Sequence, residues 1–377
     1  MEIKARRGGN YKGRSDIILF SVISKKDIWS YINKMAIFIN SGIDIKTALS
    51  IVIKQTKNPE LKDIVTEMKL NIDHGVTIAE TMQQHPKVFD PLITALIGVG
   101  EKTGQLGRIL SELDRNLLDS IELKGKVKGS LIYPVILLTL TFGVVVFMMV
   151  FIVPKISETF AKANVDLPAL TQMIVGISNF FINDYLKLII IVVLLVIGIR
   201  LFKKTNTGRI VFGYSALNIP IFGKIVKQSN VIYFINSFTI LLDSGILLLE
   251  SLKIASDVVP NLIYKKEVIR IKNEVELGLP ISKSLGLNID YEESLYLNKL
   301  FNEEFAYVVN TGEETGTLSV SLKRIGYNYD VELKRKISNL SSMLEPVIIV
   351  LVGALVGTIV VGVMLPFFEM GKVAKNI

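Results

Sequence analysis

The chain has 377 residues, of which 50% are hydrophobic and 21% are charged, and it carries a formal net charge of +8. This apolar fraction is high for a soluble globular protein, while the charged fraction excludes a chain buried in a membrane throughout. The absence of cysteine excludes disulfides, thiolate metal sites and thiol nucleophiles, and the chain has only two histidines.

The N-terminal third is predicted to be polar and helical. Residues 1–25 are basic and are predicted to be mostly disordered. Residues 26–130 are predicted to form a first bundle of short helices, because apolar residues recur at helical spacing between turn signals. Examples of that spacing are Trp29, Ile32, Ala36 and Ile39.

Three segments are long and apolar enough to cross a bilayer. Segments 131–153 and 346–366 contain no ionisable residue. Segment 186–202 is shorter, and Lys187 and Arg200 mark its ends. The sequence therefore predicts an all-α integral membrane protein with three transmembrane helices.

The distribution of basic residues predicts on which side of the membrane each remaining segment lies. Lysines and arginines cluster before the first span, after the second and before the third, whereas 154–185 carries few. By the positive-inside rule, 154–185 is an extracytoplasmic loop, 203–219 a cytoplasmic linker and 220–345 a second cytoplasmic bundle. The N-terminus is then cytoplasmic, and the tail 367–377 is extracytoplasmic. Basic residues beside spans favour the lipid bilayer over nucleic acid as the partner of the positive charge.

The two predicted bundles are copies of one another. NSGIDIKTAL and DSGILLLESL place Ser41 opposite Ser244, a spacing of 203 residues (244 − 41). GEKTGQL and GEETGTL place Gly100 opposite Gly312, a spacing of 212 residues (312 − 100). Pro134 and Pro346, near the starts of two spans, keep the second spacing. Such ordered matches predict a duplicated helical domain with its following span, with about nine extra residues in the second copy.

The two Gly-Glu-x-Thr-Gly segments are the first candidate functional sites, and two explanations remain open for them. In the functional one, the glutamates contact an assembly partner or another subunit. In the local one, which we favour, the glycines permit a tight turn, the threonines cap a helix and the acid favours a helix N-terminus. The residues concerned are Gly100, Glu101, Thr103, Gly104 and Leu106 in the first copy and Gly312, Glu313, Thr315, Gly316 and Leu318 in the second.

The spans supply the second set of candidate residues. Gly353 and Gly357 form a small-xxx-small face that lets another helix approach closely. This face could serve self-association, contact with a partner helix or packing within the chain, of which we favour the last. Pro134 and Pro346 are predicted to be first-turn residues with a structural role.

No pattern in the sequence predicts catalysis, a cofactor or a metal. Gly208–Gly213 has the glycine spacing of a phosphate-binding loop, but Tyr214 stands where its lysine is required. His74 and His85 lack the spacing of zinc ligands. The sequence thus predicts a protein that is not an enzyme.

The order of these features resembles the platform family of type IV pilus and type II secretion machines (PilC/GspF-like proteins). The matching segments are KKDIWSYINKMAIFINSGIDIKTAL, GEKTGQL, LIYPVILL, LPALT, LNIPIFGKIVK, GEETGTL and LEPVIIVLVGALVGTIVVGVMLPFF. The resemblance implies a scaffold in the bacterial inner membrane. Its implied partners are a hexameric assembly ATPase, pilins or pseudopilins, other inner-membrane assembly proteins and further copies of itself.

Two rival functions remain open beside this resemblance. One is an oligomeric transporter or channel subunit, which would normally place polar or ionisable groups at membrane depth. The other is a membrane anchor for signalling or division proteins. The sequence does not distinguish a pilus from a DNA-uptake or a secretion machine.

Overall fold

The computed structural model describes residues 23–162, 167–288, 295–296 and 298–373. These residues form two compact units, Met1–Ile121 and Glu122–Ile377, and are mostly helical. The predicted disorder of 1–25 lies almost entirely outside the described residues, as does the end of the predicted tail.

Unit 1 is built from short helices. Polar side chains cap the N-termini of most of these helices, and glycines with left-handed backbone follow several of them. Ser24 and Thr77 form capping boxes with Asp27 and Glu80, so each pair satisfies backbone N–H groups in both directions. The helices are α1 (Lys25–Asn40), α2 (Ile45–Gln55), α3 (Pro59–Asp73), α4 (Ile78–Gln83), α5 (Pro91–Thr103) and α6 (Leu106–Ser130), the last of which continues into unit 2. Their apolar faces enclose a core that includes Ile32, Leu49, Val65, Leu96 and Leu113.

The second bundle repeats this order of helices within unit 2. The described segments are α12 (Phe222–Asp243), α13 (Leu248–Val258), α14 (Leu262–Glu276), α15 (Ile281–Ser284), β1 (Leu287–Asn288), β2 (Leu295–Tyr296), α16 (Glu303–Glu314) and α17 (Leu318–Ser338). Its core is aromatic, because the rings of Phe234, Phe238, Phe301 and Phe305 pack on one another.

The two copies turn at equivalent glycines. Left-handed backbone occurs at Gly42, Gly75 and Gly104 in the first copy and at Gly245, Gly278 and Gly316 in the second. A residue with a Cβ is strained in that conformation, which explains why glycine stands at both members of each pair. The extra residues of the second copy fall between α15 and α16, where β1 and β2 form an antiparallel pair. This pair is only two residues long on each side, so the chain keeps the predicted all-α class.

The rest of unit 2 contains the long apolar helices and the shorter helices that connect them. They are α7 (Ile132–Phe147), a π-helical turn (Met148–Ile152), α8 (Val153–Lys162), α9 (Ala169–Asn183), α10 (Tyr185–Lys204), α11 (Asn206–Asn218) and α18 (Leu340–Val373). Among the described residues, four helical stretches are long and apolar enough to cross a bilayer, including α12. In α12, however, 56% of the apolar window is buried inside the unit, against 6%, 0% and 17% in the stretches that hold α7, α10 and α18.

Two segments between the spans differ from their predictions. The predicted linker 203–219 is mostly the helix α11, which Thr205 caps through Gly208 N at 3.0 Å. The predicted loop 154–185 contains α8 and α9, and α9 packs on α18 and the π-helical turn. The apolar residues of α9 that face α18 explain this difference, since a solvated loop would leave Ile174 exposed whereas it is buried.

Polar side chains also fasten α9 to its neighbours. Thr171 Oγ1 donates a hydrogen bond to Gly362 O on α18 at 2.6 Å. Ser178 Oγ donates to Met149 O in the π-helical turn, where the helix ladder leaves carbonyl groups available. In an apolar environment these bonds satisfy groups that lipid cannot.

Candidate functional site

Glu101 caps the N-terminus of a helix that lies far from it in the sequence. The residue is near the C-terminal end of α5, and its two carboxylate oxygens accept hydrogen bonds from Ile78 N at 2.7 Å and Ala79 N at 3.0 Å. These N–H groups belong to the first turn of α4 and have no partner within their own helix. A carboxylate at a helix N-terminus makes charge-assisted bonds and complements the helix dipole.

Glu313 makes the same connection in the second bundle. Its carboxylate accepts from Ile281 N at 2.6 Å and from Ser282 N at 2.9 Å, both at the start of α15. Ser282 Oγ adds a third bond at 2.7 Å. The predicted association of the acid with a helix N-terminus is therefore present, but it joins two helices rather than acting within one turn.

The glycines of the two segments have separate tasks. A Cβ on Gly100 would lie 3.1 Å from Leu106 Cα, and one on Gly312 would lie 2.9 Å from Leu318 Cα. Small residues therefore allow consecutive helices to approach closely. Gly104 and Gly316 have φ of 70° and 68°, the left-handed conformation that ends α5 and α16.

The threonines do not act as predicted. Thr103 Oγ1 donates to Val99 O at 2.8 Å, and Thr315 Oγ1 donates to Thr311 O at 2.6 Å. Both bonds run back along the threonine's own helix, so neither side chain caps the helix that follows. A hydroxyl four residues after a carbonyl on the same helix reaches it more easily than the next N-terminus.

A polar contact that the sequence did not reveal recurs beside each glutamate turn. Asn40, the last residue of α1, donates through Nδ2 to Ser111 Oγ at 2.8 Å and to Gly107 O at 3.2 Å. At the equivalent place in the second bundle, Asp243 is paired with Lys323 and accepts from Ser319. The position is retained between the copies while its chemistry changes from an amide to an ion pair.

The candidate span residues fall in different environments. Pro134 is buried in the first turn of α7, as predicted, whereas Pro346 lies inside α18 and is exposed. Helix α18 begins at Leu340, so Pro346 is past its first turn, contrary to the prediction.

The small-residue face also differs from the favoured interpretation. A Cβ on Gly353 or Gly357 would meet no described atom of the chain within 4 Å, so packing among the described residues does not use this face. The close approach occurs instead at Gly362, where a Cβ would collide with Ile174 and nearly touch Leu170. The sequence carried a signal for this contact only as a third glycine on α18, without indicating its partner.

Comparison with known proteins then decides the family. A family model described as type II secretion system (T2SS), protein F, matches residues 31–154 and 234–366, which together exceed half of the chain. The chain belongs to the type II secretion system protein F family. Each matched segment covers a bundle and the span that follows it, and both begin and end at equivalent positions of the duplication.

Curated relatives of this family extend the match along nearly the whole chain. The chain is 28% identical to the type IV pilus assembly protein PilC of Thermus thermophilus over 92% of its own length and 82% of the relative's. It is 27% identical to PilC of Myxococcus xanthus over 98% and 86% of the two lengths. It is 26% identical to type II secretion system protein F of Vibrio cholerae over 94% and 85%.

Among the described residues, no group of three or more histidine or acidic residues is arranged to hold a metal. The glutamates that stand out in the sequence are occupied by backbone N–H groups. The arrangement is suited to holding helices in fixed positions, which is the requirement of a scaffold.

Proposed function

We propose that the chain is the inner-membrane platform of a type IV pilus, a competence pseudopilus or a type II secretion machine. The observation that carries this proposal is the similarity to PilC and protein F relatives over more than nine tenths of the chain. In this role the chain couples a cytoplasmic assembly ATPase to the polymerisation of pilins or pseudopilins. The chain is a scaffold and not an enzyme, so the energy comes from the ATPase.

The proposed topology has three spans, formed by α7 with the π-helical turn, α10 and α18. Helix α12 remains in the second bundle, because most of its apolar window is buried and Phe234 and Phe238 contribute to the aromatic core. With three crossings the two termini lie on opposite sides of the membrane, and both bundles lie on the side of the N-terminus, which the positive-inside rule assigns to the cytoplasm. The clusters of basic residues beside the spans support this orientation.

The proposed partners follow from the surfaces that the topology presents. The cytoplasmic bundles are available to the hexameric ATPase and to other assembly proteins. The open face at Gly353 and Gly357 is available to a pilin helix or to a second copy, since small residues permit close approach in lipid.

Crosslinking in native membranes tests this function. A photoreactive residue replacing Lys102 or Lys266, exposed positions on the two bundles, is expected to crosslink to an assembly ATPase from at least one bundle. A photoreactive residue replacing Gly353 is expected to crosslink to a pilin, a pseudopilin or another copy. Deletion of the chain should abolish filaments or secretion, and normal filaments and secretion in the deletion strain would refute the proposal.

A further inference from the structure

A basic cavity opens at one end of the second bundle. It has a volume of about 290 Å³ and lies between the first turns of α12 and the last turns of α17. Its lining residues are Lys224, Lys227, Gln228, Val231, Lys299, Leu300, Phe301, Asn302, Tyr329, Glu332 and Lys336. Four lysines and one carboxylate thus surround the same space.

One of these lysines is already neutralised. Lys336 Nζ lies 2.7 Å from Glu332 Oε1 and 2.8 Å from Gln228 Oε1. Gln228 Nε2 donates in turn to Glu332 Oε2 at 2.8 Å and to Tyr329 O at 3.1 Å. This network fixes one wall of the cavity and holds the pKa of Glu332 below its usual range, chiefly through the bond from Lys336.

The other lysines retain their charge for a ligand. Lys224, Lys227 and Lys299 form no ion pair with any residue in the described ranges. Lys224 and Lys227 are three residues apart on α12 and therefore share a face of that helix. Uncompensated positive charge around a cavity favours an anion, and primary ammonium groups bind phosphate as point charges.

The cavity also lies beside the apolar helices. Lys336 precedes Met343, the first exposed apolar side chain of α18, by about two turns of helix. On the other side, α12 follows α11, which begins directly after the apolar helix α10 and leaves Ile210 and Val211 exposed. Exposed apolar side chains on both helices that lead to the cavity indicate a bilayer surface next to it.

We infer that this cavity binds the phosphate group of an anionic phospholipid from the adjacent leaflet. Lys224 and Lys227, aided by Lys299, would hold the phosphodiester. Basic pockets beside membrane helices bind the head groups of anionic lipids. The inference goes beyond the platform role, because it depends on the membrane position of α18 and not on any partner protein.

The test measures lipid binding to the purified full chain in detergent by native mass spectrometry. Phosphatidylglycerol is expected to bind in preference to phosphatidylcholine, and Lys224→Gln with Lys227→Gln should weaken phosphatidylglycerol binding about tenfold or more. The matched control, Lys253→Gln with Lys266→Gln, removes two exposed lysines outside the cavity and should leave binding unchanged.

Each other outcome overturns the inference. Equal binding of the two lipids, or equal loss in the control variant, would show that no specific phosphate site exists. Complete displacement of phosphatidylglycerol by a tenfold excess of inorganic phosphate would assign the cavity to soluble phosphate. Circular dichroism melting verifies that the double variant is folded. If it is not, Lys299→Gln, which changes one exposed lining residue, replaces it and should weaken phosphatidylglycerol binding severalfold.

Discussion

Glu101 and Glu313 are structural equivalents that each join a glycine turn to a short helix of their own bundle through two backbone N–H groups. The chain separates each glutamate from its partners by more than twenty residues. The repeated connection holds α4 to α5 and α15 to α16. The glutamate of each turn is therefore a structural residue that links two helices of its own bundle.

Glu101→Ala is expected to destabilise the first bundle selectively. Two charge-assisted hydrogen bonds are lost and two buried N–H groups are left without partners, at a cost of about 2 kcal/mol. The only tryptophan, Trp29, lies on α1, so its fluorescence during denaturation reports unit 1. The midpoint of the denaturation curve followed by Trp29 fluorescence should fall for Glu101→Ala and remain nearly unchanged for Glu313→Ala. Lys102→Ala, at the exposed neighbouring residue, is the control. An equal fall of the denaturation midpoint in this control would refute the structural role of Glu101.

Replacing Gly100 or Gly104, two glycines of the same turn, with alanine should destabilise the first bundle for different reasons. Gly104→Ala places a Cβ on left-handed backbone, at a cost of about 1 kcal/mol, and Gly104→Asn should recover part of it. Gly100→Ala drives a Cβ against Leu106 Cα, which asparagine cannot relieve. Gly125→Ala, in a helix with open space at its Cβ, should instead raise the melting temperature. If Gly104→Asn is no more stable than Gly104→Ala, backbone strain is not the cause.

The capping box at the start of α1 predicts a loss of stability in acid. The bonds that Asp27 accepts, first of all from the Ser24 side chain, lower the pKa of this carboxyl below its ordinary value of 3.8. Because the folded pKa is the lower one, the stabilisation is present above the unfolded pKa and is lost as pH falls through the folded value. The difference in unfolding free energy between the protein and Asp27→Asn should therefore be constant near neutral pH and vanish in strong acid. A difference that grows on acidification would contradict this sign.

Cysteine labelling tests the proposed topology on a clean background, since the chain has no cysteine of its own. Lys102→Cys and Lys266→Cys are expected to be protected from a membrane-impermeant maleimide in intact cells and labelled after permeabilisation. Lys162→Cys, on α8, should be labelled in both conditions. Labelling of Lys266→Cys and Lys162→Cys to the same extent in intact cells would exclude the three-span arrangement.

Substitutions at Gly357 and Gly362 of α18 should have different effects, one on assembly and the other on the stability of the fold. Gly357→Val meets no described atom of the chain, so the melting temperature of the detergent-solubilised protein should be unchanged while filament formation or secretion falls. Gly362→Val collides with Ile174 and should lower the melting temperature itself. Normal assembly in a stable Gly357→Val variant would remove this face as a docking site.

Much of the fold followed from local patterns. The turn glycines and the period of the apolar residues predicted short helices. The uncharged segments predicted the membrane part, and the spacings of 203 and 212 residues predicted equivalent elements. All of these depend on neighbours in the chain or on comparison of one segment with another.

The helix α9 within 154–185 was missed for a physical reason. Helix α9 owes its place to Thr171, Ile174 and Ser178 packing on helices distant in sequence, and local pattern cannot indicate such partners. Pro346 was misplaced in a first turn because the start of α18 depends on where α17 ends.

By itself, the sequence determined the duplication, the apolar spans and the positions of the turns, since each arises from short-range spacing and burial. Only the tertiary structure decided which N–H groups Glu101 and Glu313 bind and that Gly362 rather than Gly353 meets a neighbouring helix. Those choices depend on which helices meet in space. The spacing of residues along one helix specifies the face that packs, and the partner of that face is set by the fold as a whole.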